Sequence, residues 1–334
     1  MIEFQRLILG DARRNELFAA ALKRLIVPGK TTVADLGSGT GFLAFVASRL
    51  GAKQCWLYET SELLELSREI AKQNGLENCV FVRAHSLEVG NPPRADVVIS
   101  ETLGNLALEE NTLETLQDAP RFLAPGGVMI PQKLEQFVAP VTSARCFDAL
   151  DIWPRVGPAA GVKLDYSAAR RVCFDNVYVR SFKPGDLLPD GDVEKEVGGT
   201  RRSARVFDAI DFRRKTSSVR RATVEWKLAK PATIYGFALW WRCALLEGEG
   251  AAKPEIALST APDAPATHWE QIWLPPAHAS GPIAAKAGET LRLAIECDSR
   301  PEVKINLKWK TTLLDRAGKS RVATSQDMQK GYLE

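Results

Sequence analysis

The sequence predicts an α/β domain with a parallel, doubly wound sheet over residues 1–131, followed by an antiparallel β-rich domain over 132–334. Three observations carry this expectation. In the first part, short and nearly all-apolar runs alternate with stretches of helical period, the rhythm of strand–helix–strand units with helices on both faces of a parallel sheet. The residues Gly37-Ser38-Gly39-Thr40-Gly41 stand directly behind one such run, Thr32-Val33-Ala34-Asp35-Leu36. From Leu134 onward the apolar residues favour period two and turn residues recur, as in half-buried antiparallel strands. A chain of 334 residues has room for about two such domains.

In chain order, residues 31–37, 54–59, 80–84, 95–101 and 128–131 read as the strands of the first domain. Between them, residues 61–73 carry Leu63, Leu66 and Ile70 on one helical face, and Gly75 stops the helix. Ligands of parallel sheets bind at the carboxyl ends of strands. Gly37, Glu59 and Glu101 all stand at such ends, which places them around one crevice. Pro131 marks the change of domain. Beyond it Ala222-Thr223-Val224-Glu225-Trp226-Lys227-Leu228, Thr290-Leu291-Arg292-Leu293-Ala294-Ile295-Glu296 and Val303-Lys304-Ile305-Asn306-Leu307-Lys308-Trp309 alternate as strands. Residues 151–192 break that rhythm, with Pro154, Gly157, Pro158 and Gly161 near their start, and read as an insertion reaching away from the β domain. It carries Ile152, Trp153, Val156, Leu164 and Tyr166, apolar side chains poorly placed on a solvated arm.

Composition fits a cytoplasmic enzyme. Charged residues make up 25% and the net charge is only +3, so bulk charge argues for neither a nucleic acid nor a membrane as partner. Six cysteines show no CxxC pair and no metal-ligand spacing, and Cys55 and Cys79 read as core thiols. The start Met1-Ile2-Glu3-Phe4-Gln5-Arg6 lacks a charged region followed by an apolar one, and no run of 18 apolar residues exists. The one basic cluster, Arg201-Arg202, Arg205, Arg213-Arg214-Lys215 and Arg220-Arg221, reads as a solvated face, with partner binding as the sharper alternative.

Glycines are needed where a strand turns sharply into a helix and the backbone must lie against a ligand. Glu59, 22 positions after Gly37, suits a ribose diol. Together they point to a nucleoside-bearing cofactor. The spacing is G-x-G-x-G with Asp35 two residues ahead, not the G-x-G-x-x-G of dinucleotide binders. It resembles the first motif of class I methyltransferases, which bind S-adenosylmethionine. The resemblance puts a methionine moiety, not a pyrophosphate, at Gly37, Ser38, Gly39 and Gly41.

The segment Ser100-Glu101-Thr102-Leu103-Gly104-Asn105-Leu106-Ala107-Leu108-Glu109-Glu110-Asn111 follows a strand and sets two carboxylates, Glu101 and Glu110, nine positions apart. By spacing alone this suits a solvated loop, or a helix start where negative charge meets the dipole. Far away stands Thr267-His268-Trp269. The combination resembles the protein arginine N-methyltransferase family. Ser100, Glu101, Gly104 and Glu110 match its "double-E" loop, Leu123-Ala124-Pro125-Gly126-Gly127 with Pro131 matches its Leu-Ala-Pro-x-Gly and following Pro, and Thr267-His268-Trp269 matches its Thr-His-Trp loop. The motifs run in the family's order from about residue 8 to residue 314.

The resemblance implies a Rossmann-like class I methyltransferase domain, then an antiparallel β-barrel domain with an inserted dimerisation arm at 151–192, acting as a homodimer on arginine in a protein or peptide. It implies that Arg14 holds the methionine carboxylate and that Asp11 pairs with His268 across the two domains. Glu59 would bind the ribose, Ser86 and Leu87 fall near the adenine-contacting segment, and Thr115 matches a small hydroxyl residue near the cofactor. Leu87 stands where the family usually has Glu. The family's Tyr-rich helix ahead of Asp11 is expected to be short here, with Phe4 and Phe18 as the aromatics of that region. Ile8, Thr112 and Thr102 stand where the family has two methionines and a Trp, which implies a wider acceptor pocket or a different amine.

The chemistry fits these residue types. A guanidinium is planar, always charged and offers five donors in a fork. Two carboxylates can hold it and fix one terminal nitrogen for near-linear attack on a sulfonium methyl. No metal or nucleophilic side chain is needed, and His268 reads as a structural histidine at the domain junction. Methylation of a small-molecule amine or guanidine, and a cofactor-binding scaffold without turnover, stay open as alternatives.

Overall fold

The computed structural model describes residues 2–194 and 202–331. Two helices open the chain, α1 (Ile2–Leu9) and α2 (Ala12–Leu25), with Asp11 capping the second. Then β1 (Thr32–Leu36), α3 (Phe42–Arg49), β2 (Gln54–Tyr58), α4 (Leu63–Gln73), β3 (Cys79–Val82), β4 (Ala95–Ile99), α5 (Thr112–Asp118) and β5 (Leu123–Ile130) build a parallel sheet of order β3-β2-β1-β4-β5. The β1/β4 centre is covered on both faces, which is why Val33, Ala34, Leu36, Val97, Val98 and Ile99 are all but fully buried. The strand order reverses between β1 and β4, so the crevice opens at their carboxyl ends.

One detail of α4 departs from its periodicity. Leu63, Leu66 and Ile70 were the expected inner face, but the buried stripe is Leu64, Ser67 and Ala71, and Leu66 is 38% exposed. The reason is close packing. A Cβ on Gly41 would collide with Ser67 Oγ, so α4 presents small side chains where it approaches the glycine turn.

The second domain comprises β6 (Lys133–Pro140), α6 (Arg145–Leu150), α7 (Trp153–Ala159), α8 (Ser167–Phe174), β7 (Tyr178–Arg180), β8 (Arg205–Asp211), β9 (Val219–Lys227), β10 (Ala232–Ile234), β11 (Phe237–Leu246), β12 (Ile256–Ser259), β13 (Gln271–Leu274), β14 (Ile283–Ala285), β15 (Thr290–Asp298), β16 (Asn306–Leu314) and β17 (Ser320–Asp327). One antiparallel sheet runs β7-β13-β11-β6-β8 with β12 on β11, a second runs β17-β16-β15-β9, and β10 pairs with β14. Stacking of Trp226 on Phe237 at 5.7 Å ties the two larger sheets to one core. The change of period after Pro131 is thus a change from parallel to antiparallel pairing.

The insertion is shorter than 151–192. Its helices α7 and α8 leave the sheet, but β7 returns to pair with β13, and Leu187 bridges back to Val141. Arg170, ion-paired to Asp151 at 2.7 Å, clamps the base of the excursion. The basic cluster is largely neutralised: Arg213 pairs with Asp211 and Glu247, Arg220 with Asp208 and Arg221 with Glu296. Arg201 lies outside the described residues. Among the described residues no helix is long and apolar enough to cross a membrane.

Candidate active site

The glycine turn forms because β1 ends against the neighbouring strand. The N–H groups of Gly37 and Ser38 both donate to the carbonyl of Tyr58, at 2.9 and 3.0 Å, which folds the chain back on itself. Gly37, Gly39 and Gly41 all take positive φ (75°, 53° and 85°), a region that side chains with a Cβ avoid. Asp35 accepts from the Ala44 N–H at 3.1 Å, holding the first turn of α3. Its burial, together with the charges of Glu101 and Glu59, outweighs that bond and Arg14, and pushes its pKa up to about 7.

Glu59 closes the next side. Its carboxylate accepts from Gly39 N–H at 2.9 Å and Ser61 N–H at 2.8 Å, so it fixes the turn as well as lining the crevice. A crevice of about 300 Å³ holds Gly37, Gly39, Glu59, Ser86, Glu101, Glu110 and Thr115 on its walls. Helix α1 supplies Phe4, Gln5 and Ile8 as a roof, and a smaller space of about 50 Å³ beneath it reaches Arg14, Asp35 and Ser38. Leu87 is not on the wall: its side chain is 57% exposed, because the backbone turns outward where Leu87 N–H donates to His85 Nδ1.

The domain junction is built on Asp11. Its Oδ1 caps α2 through Arg14 N–H at 2.9 Å, and its Oδ2 accepts from His268 N–H and meets His268 Nδ1, both at 2.8 Å. Burial pushes the Asp11 carboxyl up, but these bonds and the His268 ring together hold it below its ordinary value. Arg14, buried beside it, donates from Nε to Glu101 Oε2 at 2.6 Å, pairs with the same oxygen through Nη2, and reaches Asn15 Oδ1 through Nη1 at 2.9 Å.

The loop after β4 then carries Glu101 and Glu110 into the same crevice. Glu101 Oε1 accepts from Leu103 N–H at 3.1 Å. Glu110 opens at the rim with φ 59°, and the crevice wall behind it, then the Glu101 and Glu109 charges, raise its pKa. Ala107 and Asn111 also have positive φ, so the loop is intrinsically strained. Three features hold it, of which the sequence singled out only Trp269. The Glu109 carboxylate fills the space where Gly104 would carry a Cβ, and accepts from Leu106 N–H. Trp269 Nε1 donates to Leu103 O at 2.7 Å, and Trp241 Nε1 to Gly104 O at 3.0 Å. The Trp269 bond follows from the Thr-His-Trp motif, but nothing local to Trp241 signals its partner.

Polar atoms in the wall lack partners. The buried hydroxyls of Ser38, Ser86 and Thr102 have no hydrogen bond. Orphaned buried hydroxyls cost free energy unless a ligand satisfies them. With three positive-φ glycines leaving backbone open to close approach, the donor set fits a polar, nucleoside-bearing group.

Comparison with known proteins gives a consistent picture. Residues 29–149 match the family model described as a methyltransferase domain, and residues 133–313 match the arginine methyltransferase oligomerization subdomain. A probable protein arginine N-methyltransferase 6 of Arabidopsis thaliana is 26% identical over 305 residues, covering 79% of this chain and 66% of the relative, just under two thirds of its length. Protein arginine N-methyltransferase 6 of Xenopus tropicalis is 28% identical over 278 residues, covering 80% and 76%. The solved Trypanosoma brucei PRMT1 enzyme-prozyme complex with AdoHcy shares the fold, with a TM-score of 0.80 at 20% identity over 97% of this chain and 98% of that one.

Proposed function

This chain belongs to the protein arginine methyltransferase family, and from that premise we propose that it transfers a methyl group from S-adenosylmethionine to a guanidinium nitrogen of arginine in a protein or peptide. The observation that carries the reading is the shared crevice: Glu101 and Glu110 line the same 300 Å³ space as the glycine turn, Glu59 and Ser86.

Bound there, S-adenosylmethionine supplies an electrophilic sulfonium methyl. Each protein group then has a defined task. Arg14 spends three of its five N–H donors on Glu101 and Asn15, and the two that remain suit a carboxylate. Glu59 suits the ribose, and Ser86 with Thr115 suits the base end of the crevice. Glu101 and Glu110 hold the arginine guanidinium from two sides. Their paired charges keep positive charge on the far nitrogens, so the nitrogen aimed at the methyl regains lone-pair density. Asp11 and His268 do not touch substrate in this scheme. They fasten α2, and hence Arg14, to the second domain. The retained pair of like charges in one site also speaks against a scaffold without turnover, because holding two carboxylates together is costly.

The test uses labelled S-adenosylmethionine with arginine-rich peptides and a cell extract, followed by acid hydrolysis and amino-acid analysis. Label in methylated arginine is expected. Label confined to another residue type, or to small molecules, overturns the reading.

The assembly we read as a homodimer. Ile152, Val162, Leu164 and Tyr166 on the excursion are 37–56% exposed, and α1 exposes Ile2, Phe4 and Leu7. A reciprocal contact of the excursion with the partner's methyltransferase domain buries both apolar sets and closes with twofold symmetry.

A further inference from the structure

We propose that Trp241 is a positioning residue for the transfer reaction: its indole N–H holds the loop that carries Glu101 and Glu110 in its working conformation. The inference rests on the methyl-transfer reading above. Trp241 lies on β11 in the second domain, opposite Gln136 of β6, and is 1% exposed. Its side chain crosses the domain junction and donates to Gly104 O at 3.0 Å, a partner 137 positions away in the chain.

Three observations make this bond more than packing. First, the loop is strained. Ala107, Glu110 and Asn111 hold φ of 66°, 59° and 57°, a region that costs free energy for residues other than glycine. Such a loop keeps its shape only if surrounding contacts over-determine it. Second, the indole bonds are adjacent and cooperative in placement. Trp269 takes the carbonyl of Leu103 and Trp241 that of Gly104, and the two rings meet edge to face at 5.2 Å and 72°. Two consecutive carbonyls between the two glutamates are therefore fixed by one aromatic pair. Third, Trp241 is itself anchored. Its backbone N–H donates to Thr260 Oγ1 at 3.1 Å, and its strand is paired along its length with β6. The rigid β sheet thus sets the register of a loop belonging to the other domain.

Removing this one bond should let the peptide units at Leu103 and Gly104 relax and shift Glu110 relative to Glu101. A misplacement of about 1 Å at a reacting centre costs on the order of a hundredfold in rate.

The test is Trp241→Phe, which keeps an aromatic ring but deletes the indole donor, with Trp240→Phe as the control for the smaller side chain. On an arginine-rich peptide its kcat should fall about tenfold to a hundredfold, while calorimetric affinity for S-adenosylmethionine stays within about twofold because Trp241 lines no part of the crevice. In a Glu101→Gln background the same substitution should have almost no further effect on kcat, since the loop no longer presents the first carboxylate. Hydrogen exchange of the peptide covering residues 103–111 should accelerate in Trp241→Phe, a readout that needs no acceptor at all. Trp240→Phe, on the opposite face of the same strand, controls for general loss of stability and should leave that exchange unchanged. Unaltered exchange across 103–111 in a folded Trp241→Phe protein overturns the proposal. So does a kcat loss that is equally large with and without Glu101. If the wild-type protein labels no arginine, the methyl-transfer reading fails separately, and exchange alone decides whether Trp241 holds the loop.

Discussion

In the proposed reaction Glu101 and Glu110 hold one guanidinium from opposite electrostatic situations, so conservative substitution should separate their effects. The Glu101 side chain is 5% exposed and is the anion for Arg14, itself 6% exposed. Glu101→Gln leaves that guanidinium buried without a counter-charge. Breaking a buried pair by removing one partner costs about 3–5 kcal/mol, and the Gln oxygen, still able to accept from Arg14 or Leu103 N–H, brings the expected loss toward about 2–3 kcal/mol. Glu110 has no ion-pair partner among the described residues, and its ionisation is disfavoured by the crevice wall and by Glu101 and Glu109. Glu110→Gln removes that repulsion and should leave stability within about 0.5 kcal/mol of wild type, as for most surface changes. Both substitutions should lower turnover on an arginine peptide by a hundredfold or more, because each removes half of the guanidinium clamp. Cofactor affinity should hold in Glu101→Gln, where Arg14 keeps its bond to Asn15 and its remaining donors still face the cofactor carboxylate. The assay is urea unfolding with and without S-adenosylmethionine, alongside single-turnover kinetics. The reasoning fails if the two variants are equally stable in the absence of cofactor, or if either retains a near-wild-type rate.

Other expectations follow from the same geometry. Gly39→Arg should abolish S-adenosylmethionine binding, since Gly39 has φ 53° and its Cβ would stand 3.2 Å from Gln5; unchanged calorimetric affinity would refute the turn as the cofactor site. Because Glu110 has a pKa raised above its ordinary 4.5, its ionised form is lost as pH falls through that raised value. The acidic limb of kcat/KM should therefore lie above pH 4.5 and move when Glu110 is replaced by Asp; a limb at or below 4.5 counts against the assignment. Asp35 titrates near pH 7 in the folded protein and near 3.8 when unfolded, so its penalty grows as pH rises from 3.8 to 7, is fully present above about 7 and is relieved by acid. Asp35→Asn, which can still accept from Ala44 N–H, should flatten that part of the stability–pH curve, as read by urea unfolding at pH 5 and 8. Deleting residues 152–166 should give monomers with weaker cofactor affinity, and light scattering that finds the intact protein monomeric at micromolar concentration would remove the basis for the dimer.

What the sequence made legible and what it hid divide by range. The glycine turn, Glu59 and Glu101 stand at strand ends, and their positions follow from the strand pattern, whereas the pairing of Glu101 with Glu110 was legible only through the family motif. The same holds for Asp11 and His268 only because a family motif links two segments 257 positions apart; no local signal pairs them. Where a side chain's partner is set by close approach between elements, sequence pattern misleads. On α4, period alone favoured Leu63, Leu66 and Ile70, but the glycine turn comes so near at Gly41 that the small Ser67 faces it, and the buried stripe follows Ser67 with Leu64 and Ala71. On the insertion, composition could not show that Tyr178–Arg180 rejoins the sheet, because a strand of that length carries too few residues to display alternation. Trp241 is the extreme case. It sits in the run Phe237–Leu246, nearly all of it buried, where both faces of the strand look alike to any hydrophobic pattern. Only the register against β6 and the docking of the two domains turn its indole toward Gly104. The residues proposed to hold cofactor and acceptor could thus be read from motifs, whereas the Trp241 contact to their loop could not. A strained loop draws its support from whatever surface the fold brings against it, and that surface belongs to the other domain.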